Sequence, residues 1–558
     1  MRHSSTRPPA RPAPSARALR RAAGNRAGES GPPGAALRGR GKPGRPVARM
    51  TGVLAGLALL NAPAGPLAAQ DGAAGFDPAA FDAYVADAVE TWGAPGLAVA
   101  VVKDGELLFE RGYGVLELGS PERVDAHTRF AIGSTTKAMT AAAIGMLVDE
   151  GKVAWDDPVT RHLPRFELAD AWVTRELRVR DLLTHRAGLG NADFLWYGQD
   201  TSSEEILDRI SHLDPAYSFR SSYIYQNIMY LVAGAVIEAA GGRPWETFVS
   251  ERILAPLGMT ETVPLRSRIG DAPNVAVPHD VVRRDGSEGT LVTIENASVD
   301  PVAPAGSVWS SAHDMAQWLR FLLAGGVTAS GERLLEEGTV EELFTPQIVL
   351  REGMFYPTAR LTEPDFMSYG LGWFQQDYRG RKVDFHTGSI DGMVAIVGLV
   401  REQGLGVVVL ANRDHVELRH ALMLCVFDLF DPTGEPRDWS AELQELYDQI
   451  AAENRVERET RFVDRVEGTS PSRPLAAYVG TYEDPLYGTV EIEPEGDGLR
   501  LVYGPGLKGR LEHWHYDTFR VRFDAAWRGE RFVTFRGGPG GAIEVLEMNG
   551  AEFARTDR

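Results

Sequence analysis

Cysteine occurs once in 558 residues, at Cys425, which excludes an intramolecular disulfide and any cysteine-based metal cluster. Lysine is nearly as scarce: positions 42, 103, 137, 152, 382 and 508 are six of the 58 basic residues, leaving 52 arginines. An apolar run of the ~18–20 residues a bilayer span needs is also missing. So is any glycine loop of the phosphate-cradling kind. Net positive charge is absent overall, at −19. Residues 1–50 hold twelve Lys/Arg and one acid, Glu29, so 51–558 carries 46 basic and 76 acidic residues, a net −30. Such a body repels nucleic acid and anionic membrane surfaces.

What is there is long enough for two or three domains. Residues 1–49 are Arg/Pro/Ala/Gly-rich and cannot build a core, so they are expected to be disordered. Residues 50–70 read as a signal peptide, with a short apolar core at Thr51–Leu60, basic Arg45 and Arg49 before it, and cleavage near Ala69. That makes the protein secreted or periplasmic, with no stable membrane span. A helix follows, with Asp77 as N-cap, Pro78 at its first position, and Phe81, Tyr84, Val85, Ala88 and Trp92 at helical spacing. Leu97–Val102 and Leu107–Tyr113 then flank Asp104-Gly105 as a hairpin.

Three stretches carry chemistry. Ser134 opens a helix that runs through Ala138–Val148 to a glycine stop at Gly151, and Lys137 lies one turn on, on the same face. This is a nucleophile with a base in reach. Read alone, the pair reads first as a helix cap and a solvated charge. However, among six lysines only Lys137 has serine three residues before it, and an amine, unlike a guanidinium, can give up its proton. Tyr225-Gln226-Asn227 precedes the apolar helical run Ile228–Ile237. His386-Thr387-Gly388-Ser389 precedes two apolar runs, Met393–Val400 and Leu405–Leu410, which read as neighbouring antiparallel strands.

Together, Ser134-x-x-Lys137, Tyr225-x-Asn227 and His386-Thr387-Gly388 resemble the three signatures of the serine beta-lactamase and penicillin-binding-protein superfamily. The tyrosine points to the branch of class C beta-lactamases, D,D-carboxypeptidases, D-aminopeptidases and esterases. Leu182–Leu189, Pro256–Met259, Pro304–Ser307 with Asp314-Met315-Ala316, and Tyr369–Trp373 are similar as well. Two departures weaken a beta-lactamase reading: His386 stands where class C enzymes have lysine, and Arg186 where the family often has a small hydroxyl residue.

The resemblance implies an α/β (α+β) fold, an antiparallel sheet flanked by helices with a mostly helical subdomain, over residues 76–432. It implies catalysis by Ser134, Lys137, Tyr225 and His386. Asn227 would orient Lys137 or hold the substrate, and the N–H groups of Ser134 and Ser389 would form an oxyanion hole beside Thr387 and Gly388. No metal or cofactor is needed. An ordinary lysine would lose its proton at pH 7 at a cost of about 4–5 kcal/mol, so its site must depress its pKa. Either Lys137 or Tyr225 can take the serine proton, and His386 is expected to titrate near neutrality. The expected function is an exported serine hydrolase acting on peptide or amide bonds, with or without D-residues, or on esters. A true beta-lactamase, or an inactive binding or assembly protein on the same fold, is the alternative. The partner is a small-molecule or peptide substrate, and a homo-oligomer is left open.

After Asp431 the composition changes. Residues 433–470 read as a linker containing a charged helix near 441–461. Residues 471–558 alternate in short strands, at 488–493, 498–503, 518–523, 531–535 and 542–548, suggesting a small barrel or sandwich. The run Leu475–Tyr482 is similar to the opening of the lipocalin-like domain appended to some members of this superfamily. His513 and His515 share one strand face, but no third metal ligand accompanies them.

Overall fold

The computed structural model describes residues 76–556 apart from 284–288, 297, 352, 432, 436 and 464. The basic segment and signal peptide expected over 1–70 lie outside the described residues.

Helix α1 (Pro78–Thr91) begins where Asp77 accepts hydrogen bonds from the N–H groups of Ala79 and Ala80. Strands β1 (Gly96–Lys103) and β2 (Glu106–Gly114) form the expected hairpin. Asp104 and Gly105 both take positive φ, 52° and 80°, as a two-residue turn matched to strand twist requires. The remaining strands of this sheet come from far along the chain: β3 (Ile348–Val349), β4 (Met367–Tyr369), β5 (Phe374–Tyr378), β6 (Arg381–Ile390), β7 (Met393–Val400) and β8 (Leu405–Ala411). The order is β2-β1-β8-β7-β6-β5-β4-β3, and Leu97 of β1 lies opposite Ala411 of β8.

Strands β1, β7 and β8 are apolar without alternation because both faces of the sheet are covered. Leu97, Val99 and Val101 join a core with Phe81 and Leu422, whereas Ala98, Ala100 and Val102 join a second core with Leu319 and Leu322. Helices α1 and α5 (Leu418–Leu429) serve the first face, and α4 (Ala312–Leu323) serves the second. Helix α2 (Thr136–Asp149) is buried without a gap from Thr136 to Leu147 and packs against α3 (Ile228–Gly241). A helix apolar on every side belongs inside a protein. Cys425 is buried in α5, and burial pushes its thiol pKa up, which makes it unreactive.

Helix α6 (Trp439–Val463) leads to a closed barrel of eight consecutive antiparallel strands, β9 (Gly480–Asp484), β10 (Gly488–Glu495), β11 (Gly498–Tyr503), β12 (Leu507–His515), β13 (Thr518–Phe523), β14 (Glu530–Gly537), β15 (Ile543–Met548) and β16 (Ala551–Arg555). Three of these, β9, β12 and β16, are not evident from alternation alone. Closure recruits them: β9 completes the ring by pairing with β16. In β12 the inward position 509 is a glycine, where a side chain would run into the Arg522 backbone, so the apolar alternation is broken there. The interior is filled by Tyr478, Tyr482, Tyr503, Phe519, Phe535 and Phe553. A register shift between His513 and His515 separates those imidazoles, which bond instead to the Tyr516 carbonyl and the Val466 N–H. Among the described residues no helix is long and apolar enough to cross a membrane.

Candidate active site

Ser134 sits in a single 3-10 turn, Gly133–Thr135, that feeds directly into α2. The Lys137 Nζ lies 3.0 Å from Ser134 Oγ, 2.7 Å from Asn227 Oδ1 and 2.8 Å from the Ala305 carbonyl. Two of these partners can only accept, so a neutral amine would spend both its N–H bonds on them and aim its lone pair at the serine hydroxyl. Lys137 is fully buried, between the rings of Tyr225 and Tyr230, 4.7 and 5.1 Å from their centroids. That burial drives its pKa well below the usual lysine value, opposed by the negative charge of Asp193.

Asn227 immediately precedes α3, and its side-chain NH₂ faces the buried carboxylate of Asp193, at 3.1 and 3.2 Å. Tyr225, two residues earlier, is buried with its hydroxyl lacking a well-formed hydrogen bond. The nearby Ser134 hydroxyl favours the phenolate, but burial outweighs it and pushes the phenol pKa well above its ordinary value.

The strand β6 carries the third stretch past the nucleophile. Gly133 has φ 52°, and a Cβ there would lie 2.7 Å from the Ser389 nitrogen. A Cβ on Gly388 would lie 1.8 Å from the Ile132 carbonyl oxygen. Glycine at both positions is what lets this strand approach the Ser134 turn so closely. The strand is braced from behind. Arg419 donates to the Gly388 carbonyl at 2.5 Å and to Ser389 Oγ at 2.9 Å, and the Thr387 hydroxyl is bonded to Tyr356.

His386 differs from the sequence expectation in its acidity. Its ring centroid is 6.2 Å from that of Tyr225, but its nitrogens face Tyr369 (2.9 Å) and the Thr387 carbonyl (2.6 Å). Burial and the nearby Lys137 charge lower its pKa to about 3, not to neutrality. Arg186 points away from the serine, donating to Asp181 and to the Gln347 carbonyl, and Arg220 shares that carboxylate. Ser134, Lys137, Tyr225 and Asn227 thus converge, while Thr387, Gly388 and Ser389 form the wall opposite. Asp193 carries no sequence pattern that would mark it. His185 and Tyr369 stand inside two of the similar runs, where nothing but the three-dimensional arrangement shows what they bond.

A family profile described as beta-lactamase matches residues 81–424, and one described as a domain of unknown function, DUF3471, matches residues 464–558. The chain is 29% identical over 444 residues to the unguisins hydrolase ungD of Aspergillus violaceofuscus, covering 74% of this chain and 76% of that one. Its fold is similar to the octameric penicillin-binding protein homologue from Pyrococcus abyssi (TM-score 0.56, 20% identity, 86% of this chain and 99% of that one). A D-stereospecific amidohydrolase from Streptomyces sp. is similar too (TM-score 0.50, 24% identity, 61% and 95%). With more than half of its length matched by that profile, the chain belongs to the beta-lactamase family.

Proposed function

We propose that this protein is an exported serine hydrolase that forms an acyl-enzyme on Ser134 and cleaves amide bonds, including those of D-residues, or esters. The observation that carries this reading is the Lys137 amine, buried and 3.0 Å from Ser134 Oγ with its other two directions held by acceptors. Lys137 rather than Tyr225 is then the base in the free enzyme, because burial favours the neutral form of each group: a free amine, but an un-ionised phenol.

Ser134 Oγ attacks the acyl carbon as its proton passes to Lys137. The carbonyl oxygen takes the negative charge against the N–H groups of Ser134 and Ser389, each typically worth ~3–4 kcal/mol to the transition state. Collapse breaks the bond to the leaving group, which departs with a proton delivered through the Tyr225 hydroxyl from Lys137. Water then attacks the acyl-enzyme with the same groups acting in reverse. His386 keeps Tyr369 and the Thr387 strand in place and transfers no proton. The amide preference draws on the hydrolase relatives. Residues 50–70 as a signal peptide, and assembly into an oligomer, belong to the same proposal.

Labelling with a fluorophosphonate probe, followed by intact mass, tests it: one adduct on the wild type and none on Ser134→Ala. An unlabelled wild type, or labelling that survives Ser134→Ala, overturns the reading. A panel of D-aminoacyl anilides, p-nitrophenyl esters and nitrocefin then separates amidase, esterase and beta-lactamase.

A further inference from the structure

Behind the lysine lies a carboxylate that no sequence motif marks. Asp193 is 3% exposed. Its oxygens accept from Asn227 Nδ2 (3.1 and 3.2 Å), Asn191 Nδ2 (3.0 Å) and Trp196 Nε1 (2.9 Å). Each of these partners donates, an arrangement that suits an ionised carboxylate and leaves a protonated one without an acceptor for its hydrogen. The bond to Asn227 also settles which way that amide faces. Its NH₂ is bound to the anion, so its oxygen must face Lys137, 2.7 Å away.

We propose that Asp193 is the positioning residue of the site: it locks the Asn227 amide with its oxygen on Lys137 and sets, by its charge, how readily that amine holds the serine's proton. This rests on Lys137 being the base.

The charge matters because burial by itself weakens Lys137 as a base. A base must be deprotonated at rest and still attractive to a proton in the transition state. Burial supplies the first condition and Asp193 opposes it, drawing the amine back up. Burial raises Asp193 on balance above its ordinary value, although its N–H donors and Lys137 lower it. The other titratable groups facing this pair are phenols and imidazoles: Tyr225, Tyr230, His185 and His386 around the lysine, and Tyr225 and Tyr487 near the carboxylate. Burial holds these phenols un-ionised and these imidazoles neutral, so Asp193 is the group among them that can answer a charge on Lys137.

The loop bearing Asp193 is gripped by the C-terminal barrel. Tyr503 donates to the Phe194 carbonyl at 3.0 Å, Gly506 N–H donates to the Gly198 carbonyl at 2.9 Å, and Arg528 lies over the Tyr197 ring at 4.7 Å. The barrel therefore touches the chemistry through this loop, two bonds removed from the lysine.

With only six lysines, ¹³Cε-lysine NMR on the full-length protein can follow the Lys137 signal, assigned by its loss in Lys137→Gln. Three chains are compared: wild type, Asp193→Asn, and the swapped pair Asp193→Asn with Asn227→Asp. In Asp193→Asn the Lys137 midpoint should fall by about one pH unit. The acid limb of fluorophosphonate labelling should move with it, and the plateau rate should fall about tenfold as the amide loses its lock. In the swapped pair, which keeps donor, acceptor and charge, the midpoint should return to the wild-type value or exceed it. Should Asp193→Asn not fold, the swapped pair alone decides: a midpoint at or above wild type supports the role, and one below it overturns it. A folded Asp193→Asn whose midpoint equals the wild-type value also overturns it. The titration needs no turnover, so it remains informative even if Ser134 proves unreactive and the catalytic reading itself fails.

Discussion

The Tyr369 hydroxyl lies 2.9 Å from Nε2 of His386, and this bond fixes how the histidine carries its proton. The chain of bonds begins at the Gln226 N–H, which donates to Nδ1 of His185 (3.0 Å), leaving Nε2 of that ring to donate to Tyr369 (3.2 Å). Tyr369 must then donate to His386, whose remaining proton sits on Nδ1 and goes to the Thr387 carbonyl. Both imidazoles are neutral, each with its tautomer dictated by a neighbour.

A pH dependence of stability follows. His386 has an ordinary value of 6.5 when unfolded and about 3 when folded, so between these values the unfolded chain takes up a proton that the native state refuses. The stabilisation is complete above pH 6.5 and is lost as pH falls toward 3, by an amount on the order of a few kcal/mol. Urea midpoints measured from pH 7 to 4.5 should fall, and fall less steeply in His386→Asn. A slope unchanged by that substitution would mean that His386 takes up its proton as readily in the native state as in the unfolded chain.

Tyr225→Phe should separate two steps of the reaction. Its hydroxyl makes no well-formed hydrogen bond, so the variant should melt close to the wild type. If the phenol protonates the leaving group, anilide hydrolysis should fall about 10²–10⁴-fold, and p-nitrophenyl esters, whose leaving group needs no proton, much less. Equal losses on both substrates would assign the hydroxyl to the attack step instead.

Gly388→Ala probes the wall facing the serine. Its new methyl would collide with the Ile132 carbonyl, forcing β6 away from the Ser134 turn while the apolar pairing of β6 with β7 remains. Activity should fall about 10²-fold or more, the scale of one oxyanion donor, with far-UV circular dichroism unchanged. Retention of full activity would remove Ser389 N–H from the mechanism.

How much of this was legible beforehand follows from where each signal resides. Asp77-Pro78 and Asp104-Gly105 act on their own backbone, so the helix start and the hairpin can be read locally. Ser134 and Lys137 share one helical turn, and their proximity follows from geometry alone. Asp193 is different. Its meaning depends on Asn227, 34 residues later, and on a loop held by Tyr503 and Gly506 of the barrel, and no local pattern encodes such a contact. The acidity expected of His386 failed for a related reason: the free-solution value holds only for a solvated ring, and Tyr369 and Thr387 close this one off. Strands β9, β12 and β16 of the barrel likewise owe their place to ring closure rather than to alternation.

The grip of the barrel on the Asp193 loop can be tested without removing either. Gly198 has φ 73°, and a Cβ there would meet Arg528 Nη1 at 2.6 Å and Leu507 Cγ at 3.1 Å, so Gly198→Val wedges the barrel off the loop and also strains the backbone. Gly242, at the end of α3, has φ 70° with nothing within 4 Å of a Cβ, so Gly242→Val imposes comparable strain far from the interface. Both variants should lose about 1–2 kcal/mol of stability. If the barrel holds Asp193 in register, only Gly198→Val should slow fluorophosphonate labelling, by about tenfold, because a carboxylate displaced by an ångström no longer orients Asn227. Equal labelling rates in the two variants would show that the loop keeps its shape without the barrel, and that the contact serves stability alone.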